Sequence, residues 1–140
     1  MKRYLTPTDG SPAADKALAY AIERARETKA EIHLLHVVAP VAFDELQNYA
    51  ERSDIAKIRR EAHQRILASA ADRLKAAGTP CVAHLLDGNP GETVVQFAES
   101  QNIDEIIMGS RGRGAMGSLL LGSVSSKVAQ LAGVPVTLVK

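Results

Sequence analysis

The sequence predicts an α/β fold: a single domain with a five-stranded, parallel, doubly wound (Rossmann-like) sheet and helices on both faces. Apolar runs of strand length alternate with segments of helical periodicity in the order βαβαβαβαβ, which is typical of parallel strands joined by crossover helices. A length of 140 residues suits one domain covering residues 1–140. The single cysteine, Cys81, excludes an internal disulfide framework, so a hydrophobic core must stabilise the fold.

Capping residues and apolar spacing define the elements of the first half of the chain. Ser11 precedes Pro12, which places a hydroxyl at a helix N-cap and proline at the first helical position. The run Glu31–Val38 is mostly apolar and has the length of a strand buried on both faces. Gly78 and Pro80 end a long helical pattern. The predicted elements are a strand at 2–8, a helix from 12, a strand at 31–38, a loop at 40–43 and a helix at 44–77, for which a break near Ser53 is considered.

Glycine and proline separate the shorter elements of the second half. The segment Asp87–Gly91 predicts a loop, and Gly133-Val134-Pro135 predicts a turn before the last strand. The predicted elements are a strand at 81–86, a loop at 87–91, a helix at 92–100, a strand at 103–108, a glycine-rich loop at 109–122, a helix ending at 131 and a strand at 136–139. Ligands of such sheets bind beyond the carboxyl ends of the strands, where the strand order reverses. Residues that follow the first, second and fourth strands are therefore the candidates for a binding site.

The charge distribution favours a small anion as the partner. The net charge is only +1, from 17 basic and 16 acidic residues, which argues against a protein that coats nucleic acid. No acidic residue follows Glu105, so the last 35 residues carry +4 and the first 105 carry −3. Aromatic residues make up 4% of the chain and tryptophan is absent, which disfavours a stacking platform for single-stranded nucleic acid. We therefore expect no nucleic-acid partner.

The sequence also predicts a cytoplasmic protein without a membrane partner. It contains no apolar run of about 18 residues, the length typical of a membrane-spanning helix. The basic residues Lys2 and Arg3 are not followed by the apolar stretch of a secretory signal.

Two common nucleotide motifs are excluded in the glycine-rich loop at 109–122. The segment 112–117 has the spacing G-x-G-x-x-G of a dinucleotide site, but that site needs an acidic residue about 20 positions later, and none follows Glu105. The segment 117–124 has the glycine spacing of a P-loop, but Ser123 stands where the phosphate-binding lysine belongs. A surface loop without a ligand remains an alternative for the whole segment.

A longer spacing, G-x₂-G-x₉-G-S, is typical of a loop whose two ends both contact one anion. Gly109 and Gly112 allow a tight turn after the fourth strand, because glycine accepts positive φ and a close ligand. Gly122 and Ser123 begin a helix whose free N–H groups and dipole attract a phosphate. The hydroxyls of Ser123 and Ser125 add donors beside it, although Ser123 also suits a plain helix N-cap.

This motif, together with Asp9-Gly10-Ser11 after the first strand and Leu34–Val37 in the second, resembles the universal stress protein family over the whole chain. The resemblance implies a five-stranded parallel sheet, binding of ATP and, as in many members, a homodimer formed by antiparallel pairing of the last strand with its twin. By position it implies that Pro7, Thr8 and Asp9 line the ribose and adenine side, and that Val37 contacts adenine with Met108 beside it. It implies a phosphate site made of Gly109, Arg111, Gly112, Gly122, Ser123, Val124 and Ser125. Arg111 stands where the family often has histidine.

Other residues that could carry chemistry have structural interpretations. Asp9 is either a turn aspartate or a weak ligand of Mg²⁺ bound with ATP, since such ions need only one or two carboxylates. His33 and His36 fall on opposite faces of one strand, and His63 and His84 have no ligand spacing, so all four are expected to be structural or surface residues. Cys81 is expected to be a small buried hydrophobe.

The resemblance implies an ATP-binding regulatory module, and the residues favour slow hydrolysis or none. No nucleophile is paired with a base in the sequence, and the glycine loop holds no carboxylate to position a water. Two alternatives are an enzyme that acts on the α-phosphate of an adenine nucleotide and a dimerisation module with a vestigial loop. We expect a homodimer through residues 136–139, because an edge strand that is not blunted tends to pair.

Overall fold

The computed structural model describes residues 1–40, 49–111 and 121–140. The elements are β1 (Arg3–Pro7), α1 (Pro12–Thr28), β2 (Glu31–Val38), α2 (Tyr49–Ala76), β3 (Cys81–Asp87), α3 (Pro90–Ser100), β4 (Glu105–Gly109), α4 (Ser123–Leu131) and β5 (Val136–Val139). All neighbouring strands are parallel, and their order across the sheet is β3-β2-β1-β4-β5. The predicted five-stranded α/β fold is confirmed. The predictions for 41–48 and for Gly112 lie outside the described residues.

Capped helix ends follow the predicted chemistry, with small shifts. The hydroxyl of Ser11 accepts a hydrogen bond from the Ala14 amide (3.1 Å), and Pro12 begins α1 as predicted. Helix α3 uses the same arrangement, because Asn89 accepts from the Glu92 amide (3.2 Å) and Pro90 begins the helix. It therefore begins two residues earlier than predicted.

Two further predictions of element boundaries were wrong. Strand β4 begins at Glu105, not at 103, because the Ile103 amide donates to Ala98 O (3.1 Å) and closes the end of α3. Helix α2 is continuous through Ser53, so no break occurs there. In the described ranges, no helix combines the length and apolar character needed to cross a membrane.

Side chains of each strand alternate between two hydrophobic cores, one on each face of the sheet. Tyr4 packs in the core covered by α1 and α2, whereas Leu5 packs in the core covered by α3 and α4. The Tyr4 hydroxyl donates to Thr28 Oγ1 (2.9 Å), which satisfies the polar end of a side chain that is 1% exposed. Cys81 packs against the first core as a small hydrophobe, as predicted, but it is only half-buried.

The strand order reverses at β1, and this reversal positions the candidate site. From β1 the chain crosses first to β2 on one side and returns from β3 to β4 on the other side. A crevice therefore forms at the carboxyl ends of β1 and β4, between the helices α1 and α4 that follow these strands. Pro7 ends β1 opposite Leu35 of β2, which places the second strand end beside the same crevice.

Replacing Gly109 with alanine should destabilise the fold. A Cβ at Gly109 would lie 3.0 Å from the backbone C and O atoms of Ala13, which cannot yield as a flexible side chain can. We expect a loss of about 1–3 kcal/mol in the free energy of unfolding, measured by urea denaturation. Gly133→Ala is the control, because a Cβ there meets no atom within 4 Å. Equal stabilities of the two variants would contradict this account.

Candidate functional site

A cavity of about 450 Å³ lies at the carboxyl ends of β1, β2 and β4. It brings together most of the residues that the sequence singled out. The predicted site residues in its lining are Pro7, Thr8, Asp9, Val37, Met108, Gly109, Gly122, Ser123, Val124 and Ser125. Arg111 instead lines a separate depression, and Gly112 lies outside the described residues.

The turn from β1 to α1 forms one wall of the cavity. Asp9 Oδ1 accepts a hydrogen bond from the Ser11 amide (2.9 Å), and Thr8 Oγ1 accepts from the Gly10 amide (3.2 Å). Gly10 has φ of 78°, a left-handed conformation that favours glycine. Asp9 therefore has the turn role that the sequence allowed, and it lines the cavity as well.

His36 lies in the cavity wall and fixes the position of Thr8. Its Nδ1 lies 2.7 Å from Thr8 O, and its Nε2 lies 2.7 Å from His63 Nδ1 on α2. A carbonyl oxygen can only accept, so Nδ1 of His36 carries a proton and donates it to Thr8. His36 is 4% exposed, which makes it the structural histidine that the sequence predicted. The sequence did not reveal its partner, because His63 is on another element.

A second histidine pair lies away from the cavity. His33 Nδ1 and His84 Nε2 are 3.1 Å apart across β2 and β3, and His33 Nε2 lies 3.1 Å from Glu31 Oε1. The edge of Phe97 packs against the His84 ring at 4.6 Å between centroids. Leu35 of β2 lies opposite His84 of β3, so His33 is the diagonal neighbour of His84 on the same face of the sheet. The sequence could have indicated this pair only if the strand order were known. Within the described ranges, no three His, Cys, Asp or Glu residues are grouped to hold a metal ion.

The His33–His84 pair should make stability depend on pH. Burial, and secondarily the nearby His33, lowers the pKa of His84 below its ordinary 6.5. Below that pH the unfolded chain binds more protons than the folded chain, so the free energy of unfolding should fall as the pH is lowered through 6.5. Well above pH 6.5 His84 is unprotonated in both the folded and the unfolded chain, so it no longer lowers the free energy of unfolding. His84→Gln should flatten the difference between urea denaturation at pH 7.5 and at pH 5.5; an unchanged difference would contradict this assignment.

The N-terminus of α4 forms the opposite wall of the cavity. Gly122 is its N-cap, and no side chain at that position accepts a hydrogen bond from the first turn. The N–H groups of the first helical turn have no intrahelical acceptor, and the helix dipole adds a partial positive charge there. Gly122 has φ of −74° and ψ of 170°, so its backbone is extended. The alternative that Ser123 is a plain helix N-cap was therefore wrong, because Gly122 holds that position and leaves the helix end uncovered by a side chain.

The carbonyl of Ser110 joins the two ends of the glycine loop. It accepts from the Gly122 amide (2.7 Å) and from the Ser125 hydroxyl (2.7 Å). The Ser125 hydroxyl also lies 3.1 Å from Gly122 O. Ser125 therefore anchors α4 to the end of β4, in addition to lining the cavity.

The cavity combines apolar walls with an uncovered helix terminus. Leu35, Val37, Val94 and Met108 provide apolar surface of the kind that contacts a flat ring. The α4 terminus, which carries the polar residues Ser123 and Ser125, suits an anionic group. Such a cavity can hold a ligand with an aromatic part at one end and a negative charge at the other.

Comparison with known proteins gives a consistent result. The sequence model described as "Universal stress protein family" matches residues 1–140. A universal stress protein of Thermus aquaticus is 37% identical over 148 residues, covering 99% of this chain and 98% of the relative. The solved structure of a universal stress protein of Methanocaldococcus jannaschii superposes with a TM-score of 0.81 at 31% identity, covering 99% and 95% of the two chains. A universal stress protein solved in complex with cAMP has a TM-score of 0.73 at 25% identity, covering 99% and 96%.

Proposed function

The chain belongs to the universal stress protein family, and on that basis we propose that it is an ATP-binding regulatory module of the stress response. The nucleotide would lie in the cavity at the strand ends. The observation that carries this proposal is the gathering of three separate strand ends and the α4 terminus around one cavity of about 450 Å³. A volume of 300–1,000 Å³ is typical of small-molecule sites.

The adenine and ribose would occupy the end of the cavity near β1 and β2. Val37 and Met108 offer apolar surface for the base, and Pro7, Thr8 and Asp9 border the sugar. The hydrogen bond from His36 to Thr8 O holds this wall in place before any ligand arrives, which lowers the entropic cost of binding. The similar protein solved with cAMP supports an adenine nucleotide as the ligand class.

The phosphates would occupy the end near α4. The first-turn amides of Ser123, Val124 and Ser125 would donate to phosphate oxygens, as helix N-termini do in other anion sites. Gly109 and Gly122 border the same space without side chains. Gly112 is proposed for this set from its position in the motif. Any Mg²⁺ would be held mainly by phosphate oxygens, with Asp9 as a weak ligand.

Hydrolysis is expected to be slow or absent. In the described part of the lining, the ionisable side chains are Asp9 and His36. One oxygen of Asp9 is held by the Ser11 amide, and both ring nitrogens of His36 are within hydrogen-bond distance of other groups. An efficient ATPase needs a group that positions the attacking water, so we propose that the bound nucleotide acts as a signal.

We also propose a homodimer through β5. This strand lies at one edge of the sheet and pairs only with β4 among the described strands. Its other side presents unpaired backbone groups, which favours pairing with the same strand of a second copy about a twofold axis.

Calorimetric titration of nucleotide-stripped protein with ATP and Mg²⁺ tests the proposed ligand. We expect saturable binding of ATP, with weaker binding of GTP, because apolar walls would leave the additional polar groups of guanine without hydrogen-bond partners. ADP is the comparison for the contribution of the terminal phosphate. An absence of both heat and a shift in melting temperature with ATP would overturn the proposal.

A further inference from the structure

A second depression, of about 400 Å³, lies between the first turn of α1 and the ends of β4 and β5. Its described lining consists of Pro12, Ala13, Lys16, Ser110, Arg111 and Lys140. It shares no described lining residue with the nucleotide cavity. The depression is therefore a separate place on the molecule, reached from the α1 side.

Three cations meet in this depression without a carboxylate side chain. Lys16, Arg111 and Lys140 come from three different elements or their ends, and no ion pair joins any of them to a described residue. The acidic residue of the first turn of α1, Asp15, pairs instead with Arg73 of α2 (3.2 Å). These three side-chain cations outweigh the single main-chain carboxylate of Lys140 beside them, so the depression should attract an anion.

The positive segment seen in the sequence divides into separate parts in the structure. Lys127 is paired with Glu92 on the neighbouring helix, with 3.0 Å between Nζ and Oε1. Arg111 and Lys140 converge with Lys16 on the depression. Among the described cations after Glu105, Arg111 and Lys140 therefore line this depression, and none lines the nucleotide cavity.

Two donors beside the cations have no hydrogen-bond partner among the described residues. Ser110 is 4% exposed; its amide and carbonyl are both bonded, but its hydroxyl makes no such bond. The amide of Ala13, in the first turn of α1, also has no acceptor, since the Ser11 hydroxyl accepts from Ala14 and the Ser11 carbonyl accepts from Asp15. Ser110 lines the depression, so its hydroxyl is available as a donor to a ligand bound there. The helix terminus adds a positive potential of its own.

We propose that Lys16, Arg111 and Lys140 form a second anion site that binds a phosphate group, independently of the nucleotide. The guanidinium of Arg111 can donate two parallel hydrogen bonds to phosphate oxygens, and the two lysines add point charges. The Ser110 hydroxyl and the Ala13 amide are the uncharged donors. Arg111 thereby leaves the set of ATP-phosphate ligands that the family resemblance implied. The ligand is inorganic phosphate or the phosphate group of a small phosphorylated molecule, which share this chemistry.

Amide chemical shifts in a ¹H–¹⁵N spectrum test the site on the full chain at constant ionic strength. Titration with inorganic phosphate should shift the amides of Ala13, Lys16, Ser110 and Arg111 with one saturating curve. A parallel titration with glycerol 3-phosphate separates the two sources, since tighter binding there identifies a phosphorylated molecule and tighter binding of inorganic phosphate identifies the free ion. Shifts confined to Ser123–Ser125, or no saturable shift, would overturn the proposal.

Matched charge variants distinguish a site from general attraction. Lys16→Gln/Lys140→Gln should weaken phosphate binding by at least about tenfold. Lys57→Gln/Lys75→Gln removes the same charge from exposed positions on α2 and should leave binding unchanged. Equal weakening in both double variants would contradict the proposal. Saturating ATP should not displace phosphate from Ala13 and Lys16, and a failure of ATP to bind would leave the phosphate result intact.

Discussion

Replacing Gly122 with valine should weaken ATP binding by about 100-fold or more while the chain still folds. Gly122 lines the nucleotide cavity and is the N-cap of α4. A branched side chain there would stand beside the first-turn amides that are proposed to hold the phosphates. Loss of two charge-assisted hydrogen bonds, each contributing about 1.5–3 kcal/mol, gives an effect of this size.

The backbone at Gly122 makes this substitution informative. Its φ of −74° and ψ of 170° are open to any residue, and its amide would still donate to Ser110 O. The expected cost to stability is that of a poor N-cap, about 1 kcal/mol. Calorimetry with ATP measures the affinity, and thermal unfolding checks that the variant is folded.

Gly133→Val is the matched control for this test. It makes the same chemical change at an exposed glycine outside the cavity, where a Cβ meets no atom within 4 Å. Its affinity for ATP should equal that of the wild type. If Gly122→Val bound ATP as tightly as this control, the α4 terminus would not be the phosphate site.

A proline at position 136 should weaken the proposed homodimer by about 30-fold or more. Pro135 O accepts a hydrogen bond from Ile106 in β4, and Val139 O accepts one from Ser110 directly after β4. By alternation, the backbone groups of Val136 and Leu138 face the open edge of the sheet. Proline at 136 removes an outward N–H, and twofold symmetry doubles the loss. Hydrogen bonds from β4 to β5 do not use this N–H, so the sheet itself should remain.

Sedimentation at micromolar concentration measures the effect on assembly. The wild type should sediment as a dimer and Val136→Pro as a monomer. Ala83→Pro is the control on the opposite edge strand, where Pro80 O accepts from Ile32, so the Ala83 N–H also faces outward by alternation. It should remain dimeric. A wild-type monomer, or dissociation of both variants, would rule out pairing through β5.

Periodicity and capping chemistry were sufficient to predict the fold. Among the elements with the clearest local signals, α1 begins at Pro12 and the apolar β2 spans Glu31–Val38, as the sequence placed them. The boundary of β4 was missed because the Ile103 amide is used by the end of α3, a contact that depends on how the chain leaves that helix. Local patterns do not contain this information.

The lining of the candidate cavity was predictable as a set of strand ends but not in its details. Strand order places the β1, β2 and β4 ends together, so Thr8, Val37 and Met108 could be named in advance. The direction of a side chain after a strand has ended depends on tertiary packing. Arg111 lines the depression beside α1 and not the nucleotide cavity. The pairing of His36 with His63 required two elements to meet, and sequence spacing alone gave no signal of it.

The double hydrogen bond at Ser110 O has a consequence for how this protein can diversify. Because that carbonyl holds both Gly122 and Ser125, the two ends of the glycine loop are fixed to the scaffold independently of what lies between them. For such a closed loop, doubling the length costs only about 0.6 kcal/mol in chain entropy. The fold should therefore tolerate insertions and substitutions between Ser110 and Gly122. Evolution, or a protein engineer, can therefore change the sequence and length of this segment while leaving the sheet and the α4 terminus as they are.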